Sequence, residues 1–295
     1  MKDAVLLLAH GAPERIEDIP EYLRYVRGGR PTPAELVQEV AHRYAEIGGA
    51  SPLTARTREQ AEALERVLGI PVYFGMRNWH PFIRDTLERM QADGIERIVA
   101  VSLAPQYSRM SVGFYFRRTQ EAKEALNYQA TIIWTKSFHD HPGLIRAFAA
   151  RIRPLLGADL VLFTAHSLPE KILANRDPYD AEARTTARLV AAELGLPRWD
   201  FAYQSQGMTD DVWLGPTVES RLDAYAAEGI RDLILAPIGF VSDHVEILYD
   251  VDILFKGYAR ERGIDLRRPE SLNACPEFIA ALADLVRQRL ENAEG

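Results

Sequence analysis

Polar and titratable side chains follow several of the apolar segments that predict β-strands. Four such positions are His10 after 4–9, 105–108 after 96–104, His166 after 159–165, and 242–246 after 231–239. Imidazole, with an ordinary pKa near 6.5, can accept a proton or bind a divalent metal near neutral pH. A single histidine at a strand end is more often a hydrogen-bonded structural residue. The four segments together therefore predict proton transfer and metal handling.

Three carboxylates extend the last of these segments. Asp243, Glu246 and Asp250 are spaced by three and four residues, which places them on one face of an α-helix. Like charges on one face need a compensating cation, a shared proton or a buried arginine. We therefore expect a metal path along this helix. The competing interpretation is structural, because Asp243 and Glu246 also have the spacing of a capping box.

Aromatic and basic residues add a second kind of candidate. The aromatic residues near predicted strand ends and helix starts are Tyr107, Tyr115, Phe116, Tyr203 and Trp213. About half of them should belong to the core, and those that face a cleft would suit a large flat ligand. In the loop 25–33, Arg27 and Arg30 can donate to carboxylates, although a solvated loop is the competing interpretation.

The elements that must position these side chains alternate between strands and helices. Apolar runs predict strands at 4–9, 71–75, 96–104, 130–135, 159–165, 200–204 and 231–239. Helical periodicity with proline and glycine punctuation predicts helices at 54–68, 81–93 and 216–228. This alternation is typical of parallel sheets that are covered by helices.

An internal duplication divides the chain into two similar halves. The segment 6–13, LLLAHGAP, corresponds to 161–169, VLFTAHSLP, and 78–105 corresponds to 212–240. We therefore predict an α/β fold of two similar doubly wound lobes, 1–154 and 155–275, with ligands bound beyond the carboxyl ends of the strands.

Composition excludes several classes of function. The chain has 295 residues, a net charge of −7 and a pI near 5.6, which argues against a nucleic-acid-binding surface. The apolar run before His10 is too short for a signal peptide or a membrane span, so we expect a cytoplasmic protein with no transmembrane segment. Cys275 is the single cysteine, which excludes a disulfide framework and a four-cysteine iron–sulfur or zinc site within one chain.

Several motifs in order resemble the ferrochelatase family over nearly the whole chain. They are LLAHGAP (7–13), IGGASPL (47–53), LAPQYS (103–108), FTAHSLPEKI (163–172), DPYD (177–180), YQSQGMTDDVWLGPT (203–217), PIGFVSDHVEILYDVD (237–252) and PEFIAALADLV (276–286). The resemblance implies a lyase that inserts Fe²⁺ into a porphyrin bound between the lobes. It also implies that His166 and Glu246 face each other across that cleft as the catalytic pair and metal ligands.

The resemblance further implies supporting residues and partners. Asp243 and Asp250 would support a relay, and Asp250 would also be a metal ligand. The C-terminal helix, 276–295, would pack back on the first lobe. Porphyrin and ferrous iron would be substrates, with no permanent cofactor and no carboxyl-terminal iron–sulfur centre. We expect a monomer that makes transient contacts with neighbouring haem-pathway enzymes.

The first third of the chain resembles the bacterial branch that acts on coproporphyrin III, which carries four propionates where protoporphyrin IX carries two. Four residues match positions that lie near the substrate's entry edge or propionates in this branch: Arg27, Arg30, Ser51 and Arg77. The other candidate substrate-binding residues are Tyr107 and Trp213, and Tyr115 is a candidate supporting residue. Relatives often have tyrosine at the position of His10, so His10 is expected to ligate the iron of the product. They also often have a carboxylate at the position of Leu254, which weakens the case for a second divalent-cation site.

Three alternatives stay open from the sequence. They are a protoporphyrin IX ferrochelatase, a cobalt or nickel tetrapyrrole chelatase, and a haem or porphyrin carrier without catalysis. The motifs at 163–172 and 237–252 favour the iron enzyme over the other chelatases.

Overall fold

The computed structural model describes residues 1–207 and 211–293, which form two parallel four-stranded sheets. The first sheet has the order β2-β1-β3-β4 and consists of β1 (Asp3–Ala9), β2 (Val72–Met76), β3 (Arg97–Ser102) and β4 (Thr131–Thr135). The second has the order β6-β5-β7-β8 and consists of β5 (Leu160–His166), β6 (Trp199–Gln204), β7 (Asp232–Pro237) and β8 (Asp265–Arg267). The two sheets have the same topology, so the predicted two-lobed α/β fold is confirmed.

Helices cover both sheets. They are α1 (Ile19–Val26), α2 (Ala34–Glu46), α3 (Leu53–Leu68), α4 (Ile83–Ala92), α5 (Val112–Ala125), α6 (Pro142–Ile152), α7 (Lys171–Ala174), α8 (Tyr179–Leu194), α9 (Val218–Glu228), α10 (Lys256–Glu261) and α11 (Pro276–Asn292). A π-helix, Glu246–Phe255, leads directly into α10, and short 3₁₀ turns occupy Ile16–Asp18 and Arg153–Leu155. None of the helices in the described ranges is long and apolar enough to cross a membrane.

Two helices start two residues later than their prolines predict. Phe82 is extended before α4, and Thr217 is extended before α9, where its hydroxyl accepts a hydrogen bond from the Ser220 N–H at 3.2 Å. The side chain of Thr217 therefore caps α9, and Pro216 precedes the cap. The predicted helix ends agree with the structure, because Gly69 and Gly229 adopt the left-handed conformation that a glycine cap allows.

A single apolar cluster connects the two sheets. It contains Val5 of β1 and Phe163 of β5, together with Phe148 of α6 and Phe278 of α11. Helix α11 packs against α3 and α6, and α6 packs against α8. The central strands β1 and β5 are buried on both faces, which explains why their sequences are unbroken apolar runs.

Polar contacts between the lobes fix the loop that follows β3. The Ser108 hydroxyl and the Arg109 N–H donate to Asp177 at 3.1 and 2.8 Å, and the Tyr107 N–H donates to Glu182 at 2.6 Å. Asp177 precedes α8 and Glu182 lies in its first turn. These contacts hold one end of the first sheet against the second and therefore set the width of the space between them.

Candidate active site

A cleft opens between the lobes at the carboxyl ends of β1, β3, β5 and β7. Its cavity has a volume of about 260 Å³, and its wall includes His10, Arg77, His166, His244 and Glu246. Apolar groups complete the wall; they include Ala9, Leu103, Leu168 and Phe240. This is the position at which parallel sheets bind ligands, and a flat ligand would find apolar surface there with a few fixed polar groups.

His166 and Glu246 form a close pair on the second lobe. His166 ends β5 and Glu246 begins the π-helix after β7, so parallel strand ends bring them together. The His166 Nε2 lies 3.5 Å from the Glu246 Oε1, and the two side chains are 30% and 32% exposed. The expectation that they face each other across the cleft is wrong, because both arise from the same sheet.

Hydrogen bonds fix the orientation of both histidines beside Glu246. The His166 Nδ1 contacts the carbonyl of Ser167, and the His244 Nδ1 lies 2.9 Å from the carbonyl of Ser242. A carbonyl only accepts, so each Nδ1 carries a proton and each Nε2 faces the carboxylate. The His244 Nε2 is 3.5 Å from the Glu246 Oε2. Tyr179 supports the arrangement by donating to the His166 carbonyl at 2.8 Å.

The electrostatics of the pair favour a charged state. Burial opposes the ionisation of Glu246, but the charge of His166 and the hydrogen bonds from both histidines hold its pKa well below the ordinary value. Burial also opposes protonation of His166, yet Glu246 raises the pKa of His166 above 6.5. The pair therefore favours a protonated imidazole beside an ionised carboxylate.

His10 has the opposite character and comes from the first lobe. Burial, followed by the charge of Arg77, lowers the pKa of His10 to about 3. The Asn78 amide lies 3.1 Å from the His10 Nε2, to which it donates. The cleft therefore has an imidazole that stays neutral on the first lobe and one whose protonation is favoured on the second.

Asp243 does not belong to the cleft. Its carboxylate accepts from Ser271 and Asn273 at 2.7 Å each, and Arg268 lies 3.7 Å away. The helix begins at Glu246, and no side chain caps it. The predicted three-carboxylate face is wrong because the chain at Asp243 is not helical. The predicted capping box is also wrong, because the Asp243 carboxylate binds the segment after β8 and not the first turn of the helix.

Asp250 continues the acidic path from Glu246. It is 3% exposed, accepts a hydrogen bond from Ser205, and lies 3.8 Å from the Arg43 guanidinium of α2. Burial and the negative charge of Glu246 raise the pKa of Asp250 to about 6. Two carboxylates of different basicity therefore follow each other along the π-helix, and Leu254 is exposed near its end.

The structure brings only some of the predicted aromatic residues to the cleft. Tyr115 lines it, whereas Tyr107 lies under the ammonium group of Lys136, at 4.7 Å, outside the cleft wall. Phe116 packs against Trp134, and Tyr203 is core and donates to Asp180.

Trp213 also lies outside the described cleft wall. It forms a strand-like bridge with Pro169. Residues 208–210 of the motif before it lie outside the described part of the chain.

The predicted propionate-binding residues separate into two groups. Arg77 lines the cleft, with its guanidinium 5.4 Å from the ring centre of Tyr115. Arg27 and Arg30 donate to backbone carbonyls within their own loop, and Ser51 is buried and accepts from the Leu53 N–H. These three residues are not part of the cleft wall in this structure.

The cleft residues that received no role from the sequence include His244, Tyr22 and Tyr44. Asn78, which contacts His10, also received none. His244 could have been found from its place two residues before Glu246. Tyr22 and Tyr44 each lie at helical spacing from apolar residues of their own helix, which is also the pattern of core residues.

Within residues 1–207 and 211–293, no three His, Cys, Asp or Glu side chains are grouped so as to hold a metal ion. Iron bound by His166 and Glu246 would therefore need further ligands from water or from the porphyrin nitrogens. That requirement suits a transient metal substrate.

Comparison with known proteins decides the family. The ferrochelatase family model matches residues 2–290. The chain is 48% identical to a ferrochelatase of Acidobacterium capsulatum, with 99% of this chain and 95% of the relative covered. This chain belongs to the ferrochelatase family. It is also 37% identical to a coproporphyrin III ferrochelatase of Oceanobacillus iheyensis, with 99% and 98% covered. Its general activity is that of a ferrochelatase, metal insertion into a porphyrin.

Solved chelatases share the fold of this ferrochelatase family member. SirB from Bacillus subtilis with Fe³⁺ superposes with a TM-score of 0.64 at 14% identity, covering 100% of this chain and 98% of SirB. CbiX, described as the terminal enzyme of sirohaem biosynthesis in denitrifying bacteria, gives a TM-score of 0.57 at 15% identity, with 97% and 98% covered. At these identities the likeness concerns the two-lobed architecture alone.

Proposed function

We propose that this chain inserts Fe²⁺ into coproporphyrin III and produces coprohaem for haem biosynthesis. The observation that carries the proposal is the His166–Glu246 pair in the wall of an interlobe cleft, with neutral His10 on the other lobe. Iron is a substrate in this proposal, and no permanent cofactor takes part. The protein acts as a cytoplasmic monomer.

Iron insertion releases two protons from the pyrrole nitrogens, and the cleft offers acceptors for both. Glu246 is ionised at neutral pH and accepts the first proton through its contact with His166. Asp250 has a pKa of about 6 and accepts a proton that moves on from Glu246. The approaching Fe²⁺ repels the Nε2 proton of His166, which passes to water in the open cleft because the side chain is 30% exposed, and the freed Nε2 becomes a metal ligand.

The walls of the cleft act on the porphyrin itself. A ring that is bent toward the metal aims its nitrogen lone pairs at the iron. A cleft that binds this bent form more tightly than the flat form lowers the barrier to insertion. Tyr115 and Phe240 supply rigid apolar surface for that purpose. We assign His10 as the ligand of the product iron, because it stays neutral and comes from the lobe opposite His166.

Two observations support coproporphyrin III as the porphyrin. The guanidinium of Arg77, a group that can bind a carboxylate, lines the cleft beside the rings of Phe114 and Tyr115. Several relatives at 36–37% identity are named coproporphyrin III ferrochelatases, whereas another at 36% and those at 39–48% are named ferrochelatases without a stated porphyrin.

Anaerobic insertion of Fe²⁺ into coproporphyrin III and into protoporphyrin IX tests this proposal. Two additional carboxylates should give coproporphyrin III the higher kcat/KM, since a charge-assisted hydrogen bond contributes about 1.5–3 kcal/mol when it is well formed. A higher kcat/KM for protoporphyrin IX would reject the substrate and keep the family. A stable porphyrin complex without turnover would indicate a carrier, and preferred turnover of Co²⁺ or Ni²⁺ another chelatase.

A further inference from the structure

A buried amide of the first lobe reaches the loop that leads to Glu246. Gln60 lies in the middle of α3 and is 0% exposed. Its Nε2 donates to the hydroxyl oxygen of Ser242 and to the backbone carbonyl of Asn273, at 2.9 Å each. The carbonyl of Val241 lies 3.4 Å from the same nitrogen. One side chain of the first lobe therefore contacts two separate segments of the second.

These contacts fix which end of the amide faces the loop. Backbone carbonyls only accept hydrogen bonds, so the NH₂ group of Gln60 must face Val241 and Asn273. The Gln60 Oε1 is buried without a partner among the described residues. An unpaired buried acceptor costs about 1–3 kcal/mol, which offsets much of what the donated bonds contribute to stability. Stability alone is therefore a weak reason for an amide at this position.

A short series of contacts connects Ser242 to Glu246. The Ser242 carbonyl accepts from the His244 Nδ1 at 2.9 Å, and the His244 Nε2 lies 3.5 Å from the Glu246 Oε2. Ser242 is 4% exposed and lies in the cleft wall. A shift of Ser242 therefore moves the imidazole that contacts the catalytic carboxylate.

The connection to the first lobe matters because a bound porphyrin lies between the two lobes. Within the second lobe, Asn273 braces the loop: its N–H donates to the Val241 carbonyl at 2.9 Å, and its Oδ1 accepts from the Asp243 N–H at 3.0 Å. Gln60 ties this braced loop to the first lobe, whose wall includes His10. The distance from the catalytic carboxylate to the ring therefore depends on this contact.

We infer that Gln60 is a positioning residue for iron insertion: by holding Ser242 from the first lobe, it sets the place of Glu246 beside the bound porphyrin. Gln60 is not part of the cleft wall and acts only through the loop. The inference rests on the proposed function, because it requires Glu246 to accept a proton during insertion. A displacement of about 1 Å in a catalytic group can lower a rate by about 10².

Two variants remove the contact, one from each side. Gln60→Met keeps the length of the side chain without its amide, and Ser242→Ala removes the oxygen that accepts from it. Anaerobic Fe²⁺ insertion into coproporphyrin III gives kcat and KM, and fluorescence titration gives the Kd of the metal-free porphyrin. We expect kcat to fall about ten- to hundredfold in Gln60→Met and at least about threefold in Ser242→Ala. KM and Kd should stay within about threefold of wild type, because the porphyrin-binding walls are unchanged.

The double variant tests whether Gln60 acts through Ser242. Because both substitutions remove the same contact, the loss of kcat in the double variant should be smaller than the product of the two single losses. Losses that multiply would overturn the inference. Ser242→Ala decides the question if Gln60→Met does not fold.

Thr57→Val is the matched control in α3. Thr57 is also 0% exposed, and its hydroxyl donates to the Leu53 carbonyl of the same helix at 2.8 Å. Urea unfolding should show lower stability for this variant, with kcat and KM unchanged. Near wild-type kcat in both Gln60→Met and Ser242→Ala, a loss confined to KM, or an equal loss in Thr57→Val would overturn the inference alone. A wild type that inserts no iron would overturn it together with the proposed function.

Discussion

At the scale of single residues, the two histidines of the cleft differ because their surroundings differ. His166 is next to an ionised carboxylate, whereas His10 has Arg77 and an amide donor as neighbours. The sequence presents them as equivalent strand-end histidines of a duplication. The environment then gives one the character of a proton holder and the other that of a neutral ligand.

His10 should ligate the iron of the product. The optical and resonance Raman spectra of the ferric product complex should change in His10→Ala, since a nitrogen ligand is lost. In wild type the ligation should persist until the imidazole is protonated, and the lowered pKa of His10 moves that point well below pH 6.5. Ligation also displaces Asn78 from Nε2, so Asn78→Ala is the control that keeps the ligand. Identical spectra for wild type and His10→Ala would exclude His10.

Because of Asp250, the free energy of unfolding should decrease as pH rises. Its folded pKa of about 6 exceeds the ordinary value of 3.8, so the folded state binds more protons between these values. The free energy of unfolding therefore decreases from about pH 4 to above pH 6. Asp250→Asn removes the cost of ionising a buried carboxyl group. The variant should be more stable than wild type by about 2–3 kcal/mol near pH 8, and the difference should disappear near pH 4.

Urea unfolding across that pH range measures the difference, and Asp252 provides the control of opposite sign. Burial opposes ionisation of Asp252, but Arg268 and Lys256 hold its pKa below the ordinary value. Asp252→Asn should therefore lose stability near pH 8. An Asp250→Asn variant that is less stable than wild type near pH 8 would show that its contacts with Ser205 and Arg43 outweigh its burial.

At the scale of elements, the strands were predictable and the catalytic helix was only partly so. Seven apolar runs correspond to β1 to β7, and the clearest are the central strands β1 and β5, which are buried on both faces and need unbroken apolar segments. Strand β8 escaped prediction, since three residues with polar ends carry no pattern. The prediction that Asp243, Glu246 and Asp250 share one helical face was wrong at Asp243. It assumed α-helical spacing from a residue that precedes a π-helix. Such helices occur often at functional sites and have no simple sequence signature.

The π-helix makes Glu246→Gln an informative variant. Glu246 makes no capping bond, so any loss of stability in the variant comes from the broken ion pair with His166 and not from a lost helix cap. Iron insertion should fall by about 10²–10⁴, because glutamine cannot accept a proton. Thermal unfolding and anaerobic turnover, measured on the same preparation, separate a role of Glu246 in helix capping from its role as a proton acceptor. A variant with near wild-type turnover and a clear loss of stability would restore the capping interpretation.

At the scale of the whole molecule, two similar lobes share one apolar cluster and are locked by polar contacts at the cleft. Asp177 and Glu182 of the second lobe accept from the loop 107–109 of the first. The sequence showed the duplication and the motifs that contain the loop 107–109 and Asp177. It did not show that these segments contact each other, because that contact depends on how the lobes pack. The adjacency of His166 and Glu246 and the contact of Gln60 with Ser242 also arise only when the chain is folded.

The most direct test is anaerobic Fe²⁺ insertion into coproporphyrin III by His166→Ala, with porphyrin affinity measured on the same sample. The variant removes the imidazole that holds the proton and leaves the apolar wall of the cleft intact. We predict that insertion is nearly abolished, whereas the dissociation constant for the metal-free porphyrin changes by less than about threefold. Turnover close to wild type in His166→Ala would contradict the central role of the His166–Glu246 pair.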